Sequence, residues 1–225
     1  MIRSLSLSIA QKYLEPGESL AEVLFGLIMT LTFTLGAGLL VEQGEPAAVR
    51  ELLIATVGCN IAWGIIDGML YISGQIFERA RMKRLGQMIR SADTEQAAAA
   101  VVEEELEDLV GITVDEAERA DLYRRMARHV RASEPKPLKV ERADLYGAFA
   151  SFWLVFFASV PAAIPFLFID DAKIALRTSN AILICLLFVA GYRWAHHTAL
   201  RPWRTGLVFM TVGFALVVMA IALGG

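Results

Sequence analysis

The chain has 225 residues, of which 56% are hydrophobic, and its mean hydropathy is +0.52. Soluble globular domains are about 45–50% apolar, so this composition excludes an ordinary soluble domain. The net charge of −3 is small, and both cysteines, Cys59 and Cys185, fall within apolar runs. They form neither a disulfide framework nor a zinc-binding spacing.

Apolar segments long enough to cross a bilayer recur along the chain, since a transmembrane helix takes about 20 mostly apolar residues. There are five of them, covering residues 20–41, 52–74, 145–169, 175–195 and 203–223. The first residues lack the sustained apolar core and the cleavage site of a removable signal peptide. The sequence therefore predicts an all-α polytopic membrane protein with five transmembrane helices.

Basic residues are unevenly distributed between the connections. Lys and Arg are concentrated before the first span, between the second and third spans, and between the fourth and fifth. Because cytoplasmic loops carry the Lys/Arg excess, we predict a cytoplasmic N-terminus and an external C-terminus. The compact size favours a prokaryotic inner membrane.

A hydrophilic segment, residues 75–142, separates the first two spans (1–74) from the last three (143–225). It begins as a continuation of the second helix. Asp93 or Thr94 is suited to cap a further helix, and Thr113 with Glu116 makes a capping-box pattern for another. Apolar residues recur at helical spacing on both helices, on the second of them as Leu122, Met126 and Val130. We therefore predict a small antiparallel helical pair on the cytoplasmic side.

Acidic residues dominate the middle of this insert. Between Asp93 and Asp121 there are eleven acids and one base, Arg119. Clustered carboxylates suit divalent cations such as Mn²⁺ and also accept Fe²⁺. The other interpretation is a solvated helix face, which is the commoner origin of a run of charges. The candidate metal ligands of this cluster are Glu103, Glu104, Glu107, Asp108, Asp115 and Glu118.

Polar residues also occur inside the first two spans. Asn60 and Asp67 are seven residues apart and share a face of the second helix, and Glu22 and Met29 share a face of the first. An intramembrane carboxylate is costly unless something compensates its charge, and it indicates a functional site by default. A passing cation would compensate it, so we predict a transmembrane metal path along Glu22, Met29, Asn60 and Asp67.

Each of these residues has a simpler interpretation. Glu22 can reach headgroup water, and Met29 can serve as core filler. Asn60 can hydrogen-bond to a neighbouring helix. Asp67 is the hardest of the four to explain without a ligand.

The third span contains the stretch PAAIP, with Pro161 and Pro165 one turn apart. Each proline removes a backbone donor, so we predict a kinked helix. The motifs of nucleophilic, zinc-dependent and phosphate-binding enzymes are missing, and we predict that the chain is not an enzyme. The basic stretches border the membrane spans, so nucleic-acid binding has no support.

Two segments of the C-terminal half, SFWLVFFASVPAAIPFLF and AHHTALRPWRTGLVFMTVGFALVVMAIALGG, resemble the vacuolar iron transporter family. Five spans, an inside N-terminus and a charged helical insert after the second span are also the family's layout. The chain departs from the family's pattern near the start, where SLAEVLFG replaces the family's small-residue and Asp-Gly stretch. Tyr71 and Gln75 stand in place of its Met and Glu near the end of the second span. The chain thus resembles a divergent, prokaryotic-type member.

The resemblance implies export of Fe²⁺ or Mn²⁺ from the cytoplasm, in exchange for protons, by a homodimer with the path at its interface. It implies that acids of the insert collect metal before transport, and that Glu22 corresponds to the family's membrane acid in the first span. No permanently bound cofactor is expected; the expected partners are the lipid bilayer, divalent metal ions and a second copy of the chain. The alternative is a membrane-anchored regulatory or interaction protein whose acidic helices bind a partner or metal without transport.

Overall fold

The computed structural model describes residues 14–36, 46–112, 114–135 and 137–222. The regular structure in these ranges is helical, which confirms the predicted all-α class. The helices in chain order are α1 (Pro16–Gly36), α2 (Pro46–Ser91), α3 (Glu95–Val110), α4 (Glu116–Ala132), α5 (Arg142–Ala163), α6 (Pro165–Phe168), α7 (Ala172–Ala195) and α8 (Pro202–Ala222).

The five predicted spans are confirmed as helices long and apolar enough to cross a membrane. They lie in α1, α2, α5 with α6, α7 and α8. The predicted end of the first span, after residue 36, falls outside the described residues. Helix α2 continues without a break to Ser91, well past the predicted end of its span at residue 74.

The chain divides into two compact units, residues 1–72 with 142–225 and residues 73–141. In the first unit, leucines of α1 and α7 such as Leu31, Leu183 and Leu187 form the buried centre. Large apolar side chains also cover the outside of this unit, among them Ile65, Met69 and Phe214. Because a bilayer, unlike water, solvates such a surface, the first unit is that of an integral membrane protein.

The third span is interrupted near its end. Pro161 lies inside α5, which ends at Ala163, and Pro165 begins the single turn of α6. The hydroxyl of Ser179 on α7 donates to the carbonyl of Ala162 at 2.9 Å, which satisfies a backbone acceptor beside the break. How far the helix axis bends at these prolines stays a prediction.

The second unit is built from the end of α2 together with α3 and α4. Its core contains Ile89, Ala98, Val102, Tyr123 and Ala127. The predicted helical pair is therefore present, and the end of α2 packs against it as a third helix.

The ends of these helices match the predicted caps in part. Thr94 caps α3, accepting a hydrogen bond from the backbone N–H of Ala97 at 3.0 Å. Helix α4 begins after Asp115, whose side chain makes no capping hydrogen bond. Thr113, the other half of the predicted capping box, lies outside the described residues.

The buried face of α4 differs from the expected one. Tyr123 and Ala127 are buried, whereas Met126 is 38% exposed. The Tyr123 hydroxyl donates to the carboxylate of Glu107 at 3.0 Å, so the ring is buried while its polar end keeps a partner. Counting apolar residues cannot detect this, because the face depends on a contact with α3.

Candidate metal site between α1, α2 and α5

Three glycines bring α1 and α2 close to α5. A Cβ atom added to Gly26, Gly64 or Gly68 would lie 2.7, 2.8 or 3.0 Å, respectively, from atoms of α5. Small residues at helix interfaces allow this close approach in membranes. Gly64 and Gly68 of the second span thus face α5, and the neighbouring polar side chains lie beside a three-helix junction.

Glu22 is half-buried on α1 and is held by α5. The hydroxyl of Ser151, which is 0% exposed, donates to Glu22 Oε1 at 2.5 Å. Glu18, one turn earlier on α1, adds a second negative charge nearby. Glu22 is therefore an oriented carboxylate in a negatively charged region.

Asp67 is half-buried on α2, and its Oδ2 atom is buried without a hydrogen-bond partner in the described part of the chain. The negative charge of Glu22 acts on this carboxylate. Neither acid forms a salt bridge with another described residue. Buried polar atoms in folded proteins almost always have a partner, so the orphaned oxygen calls for a ligand, an ion or a water molecule.

Asn60 is 1% exposed, and its side-chain amide donates to Thr30 Oγ1 on α1 at 2.8 Å. Phe25 and Trp63 join the same two helices through an edge-to-face contact with ring centroids 5.4 Å apart. Asn60 therefore forms the interhelical hydrogen bond of the simpler interpretation. Met29 is half-buried on α1. A place for either residue in the metal path stays a prediction.

Two buried residues of this region escaped the sequence analysis. Ser151 gives no strong signal in sequence, because a single serine in an apolar helix is ordinary. Asp144, in the first turn of α5, is only 2% exposed. It lies one residue before the predicted start of the third span. A carboxylate is favourable at this helix end because the N-terminal macrodipole is positive.

The six acids of the predicted cluster in the second unit are all exposed. Glu107 pairs with Arg119 at 2.6 Å, and the neighbouring Glu105 pairs with Arg81 on α2. No group of three His, Cys, Asp or Glu side chains that could hold a metal occurs among the described residues. This surface is a network of ion pairs, and metal collection by these acids stays a prediction.

The pKa of Tyr123 is raised above its usual range by burial, and its hydrogen bond to the Glu107 carboxylate acts in the same direction. The phenol therefore stays protonated near neutral pH and keeps donating to Glu107. This bond ties α3 to α4 beside the Glu107–Arg119 ion pair.

The spans and the intramembrane acid pair are typical of a polytopic membrane protein that moves ions. Residues 75–225 match the VIT family, and the match covers more than half of the chain. The protein belongs to the VIT family, the vacuolar iron transporter family, whose members transport metal ions across membranes. This agrees with the prediction that the chain is not an enzyme. No curated protein matches it. The matched residues do not include Glu22, Asn60 or Asp67.

Replacing Ser151 by alanine removes a donor that orients Glu22, and we expect half-saturation of transport to need about tenfold more metal, the effect of one charge-assisted hydrogen bond. Ser151→Thr restores the hydroxyl and is expected to restore much of the affinity. Thr211→Ala is the control, since the Thr211 hydroxyl on α8 donates to the carbonyl of Leu207 in its own helix. Metal-uptake kinetics in proteoliposomes measure the effect. Equal half-saturation in both alanine variants would remove Ser151 from the site.

Proposed function

We propose that the protein exports Fe²⁺ or Mn²⁺ from the cytoplasm in exchange for protons. The observation that carries this is Oδ2 of Asp67, a buried carboxylate oxygen without a hydrogen-bond partner in the described part of the chain, next to the charge of Glu22. Two carboxylates near each other within apolar helices need compensating positive charge. Membership of a family of metal-ion transporters makes a divalent cation the natural source of that charge.

Metal movement and proton movement are coupled because the metal ion and the protons compete for the same carboxylate oxygens. One divalent cation, or two protons, neutralises the two negative charges of Glu22 and Asp67. Oxygen ligands suit Mn²⁺ and are accepted by Fe²⁺. When protons bind to the pair from one side, its affinity for metal falls, and the ion is released. When the protons leave on the other side, the pair is ready to bind metal again.

The direction of transport rests on the orientation of the chain. With the N-terminus in the cytoplasm, the second unit and its acids are on the cytoplasmic side of the membrane and collect metal before transport. Residues 1–74 and 143–225 form the transmembrane part. The working form is proposed to be a homodimer in a prokaryotic inner membrane. The many exposed large apolar side chains of the first unit suit both lipid and a second copy.

Flux measurements on the purified full chain in proteoliposomes test this proposal. Fe²⁺, Mn²⁺, Zn²⁺ and Ca²⁺ are supplied in parallel, and a pH-sensitive dye inside the vesicles reports proton movement. We expect Fe²⁺ or Mn²⁺ to move together with protons in the opposite direction, and Ca²⁺ to move least. Vesicles that show no movement of any of these ions would contradict the proposed function.

The acids of the second unit give a separate prediction. Glu103→Gln combined with Glu104→Gln removes two exposed carboxylates and is expected to lower the number of Mn²⁺ ions bound by the full chain in calorimetry. Asp93→Asn with Glu134→Gln is the charge-matched control, since these acids are also exposed but lie outside the six. If both pairs leave binding unchanged, the acids do not collect metal. Binding of a basic partner by the same surface would then support the regulatory alternative.

A further inference from the structure

Beyond the two acids, polar side chains continue along the seam between α1, α2 and α5. We define this polar seam as Thr30, Thr34, Thr56, Asn60 and Ser159. All five are at most 5% exposed. On each helix, successive polar or glycine residues that face the junction are three or four residues apart, or two turns apart. Buried hydroxyl and amide groups at one junction of three membrane helices are thus arranged in register.

The polar groups form three levels. Glu22, Asp67 and Ser151 form the first, and the 2.8 Å hydrogen bond between Asn60 and Thr30 forms the second. The third consists of Thr34, Thr56 and Ser159, one from each helix. Glu22 and Thr34 are twelve residues apart on α1, which corresponds to about 18 Å along a helix. The first-level acids and the polar seam together therefore span more than half of the roughly 30 Å hydrocarbon core of a bilayer.

At the third level the helices enclose a small cavity. Its volume is about 10 Å³, and its lining includes Thr34, Thr56 and Ser159. A cavity of this size has room for at most one water molecule, and the three hydroxyl groups lie among apolar lining side chains such as Leu52, Leu53 and Val57. Ala162, Ala163 and Phe166, on either side of the break at Ile164, also line it. Irregular backbone at membrane depth is tolerated where it borders such a cavity.

The hydroxyl groups of the third level are set up to accept a hydrogen bond from that water. Thr34, Thr56 and Ser159 donate to carbonyls of their own helices at 2.9, 2.8 and 2.7 Å, so oxygen lone pairs remain available. Thr34 also lies 2.8 Å from Asn180 Oδ1 on α7. Such backbone bonding would satisfy an isolated serine or threonine anywhere in a membrane helix. Backbone bonding alone does not require hydroxyl groups from three helices to meet at one water-sized cavity.

We propose that the polar seam carries protons between the carboxylates of Glu22 and Asp67 and the side of the bilayer that lies beyond the third level. This rests on the proposed exchange of metal for protons. A space for a single water is too narrow for a cation with its shell of ligands, but hydroxyl groups and water relay a proton. Each hydroxyl turns away from the carbonyl of its own helix, donates its proton along the seam and accepts another, and the last proton binds a carboxylate as the metal leaves.

The bond between Asn60 and Thr30 closes this route at its second level. Both side chains are nearly fully buried, and their direct contact leaves no water between them. Protons pass when this bond opens. The charges that act on the carboxylates at the first level include Glu18, which acts on Glu22, and the pair's own mutual repulsion. All are negative, which favours the arrival of protons.

The test uses the full chain in proteoliposomes, with Mn²⁺ uptake and proton movement recorded together. Thr34→Val combined with Thr56→Val removes two hydroxyls while keeping side-chain shape. We expect metal-coupled proton movement to slow about tenfold, the order of effect of losing a buried hydrogen-bonding group, with Mn²⁺ binding by the detergent-solubilised protein unchanged. Thr32→Val is the matched control, because Thr32 also donates to its own helix but is exposed.

The outcomes separate this proposal from the proposed function. Wild-type proton rates in the double variant overturn the proton route and leave metal–proton exchange intact. Loss of Mn²⁺ binding in that variant shows that the hydroxyls support the metal site or the fold, and it also overturns the route. Metal movement without proton movement in the wild type overturns the route and the exchange together, while transport itself stands.

Discussion

Asp67→Asn is expected to abolish metal-dependent proton flux, reducing it to the level of empty vesicles. The substitution keeps the size of the side chain but removes a negative charge and a site for proton binding. With only Glu22 left, the pair can no longer balance one divalent cation against two protons. Oδ2 of Asp67 is buried and has no hydrogen-bond partner among the described residues. Loss of the negative charge at Asp67 is therefore expected to have the largest effect.

The controls for this prediction come from the same chain. Asp170→Asn removes an exposed carboxylate in the connection between α6 and α7 and is expected to leave flux unchanged. Glu22→Gln is expected to resemble Asp67→Asn, because both remove half of the charge of the pair. Unchanged flux in Asp67→Asn, measured alongside a normal elution profile, removes Asp67 from the mechanism.

Gly26→Ala is expected to destabilise the protein by about 1–3 kcal/mol, the usual cost of adding a methyl group to a packed interior. The new Cβ would lie 2.7 Å from the Cβ of Ala158 and 3.0 Å from the carbonyl oxygen of Val155. Neither atom belongs to a flexible side chain, so α1 and α5 must separate. That separation also moves Glu22 away from Ser151, so metal affinity is expected to fall with stability.

Gly58→Ala is the matched control, because no atom lies within 4 Å of a Cβ added there. Since Gly58 is inside α2, alanine is expected to stabilise the helix by up to about 1 kcal/mol. Denaturant titration of both variants in detergent measures the difference in free energy of unfolding. Equal midpoints for the two variants would contradict the close contact between α1 and α5.

The membrane helices were predictable because a run of about 20 mostly apolar residues is the signature of a transmembrane helix. The cap at Thr94 was predictable for a different reason, since capping depends on residues next to each other in the chain. The end of α2 was predicted as a continuation of the second helix, but its packing against α3 and α4 was not. The packing of that end against α3 and α4 is what makes it part of the second unit.

The acids of the candidate site were found from sequence because a carboxylate inside an apolar run is costly wherever the helix points. Ser151 was missed because its importance depends on which helix it faces. The same holds for the hydroxyl residues of the polar seam, Thr30, Thr34, Thr56 and Ser159, which are ordinary in sequence until three helices bring them together; Asn60 alone was singled out beforehand. Sequence also showed the charges of the insert but not their partners, as with Glu105 and Arg81, which lie 24 residues apart.

If a divalent cation binds between Glu22 and Asp67, anomalous diffraction from crystals of the full chain loaded with Mn²⁺ will locate it there. We expect a peak within bonding distance of an Asp67 carboxylate oxygen, with Glu22 as a second ligand. A map with no peak there, in which Asp67 instead meets a basic side chain or headgroup water, would contradict it.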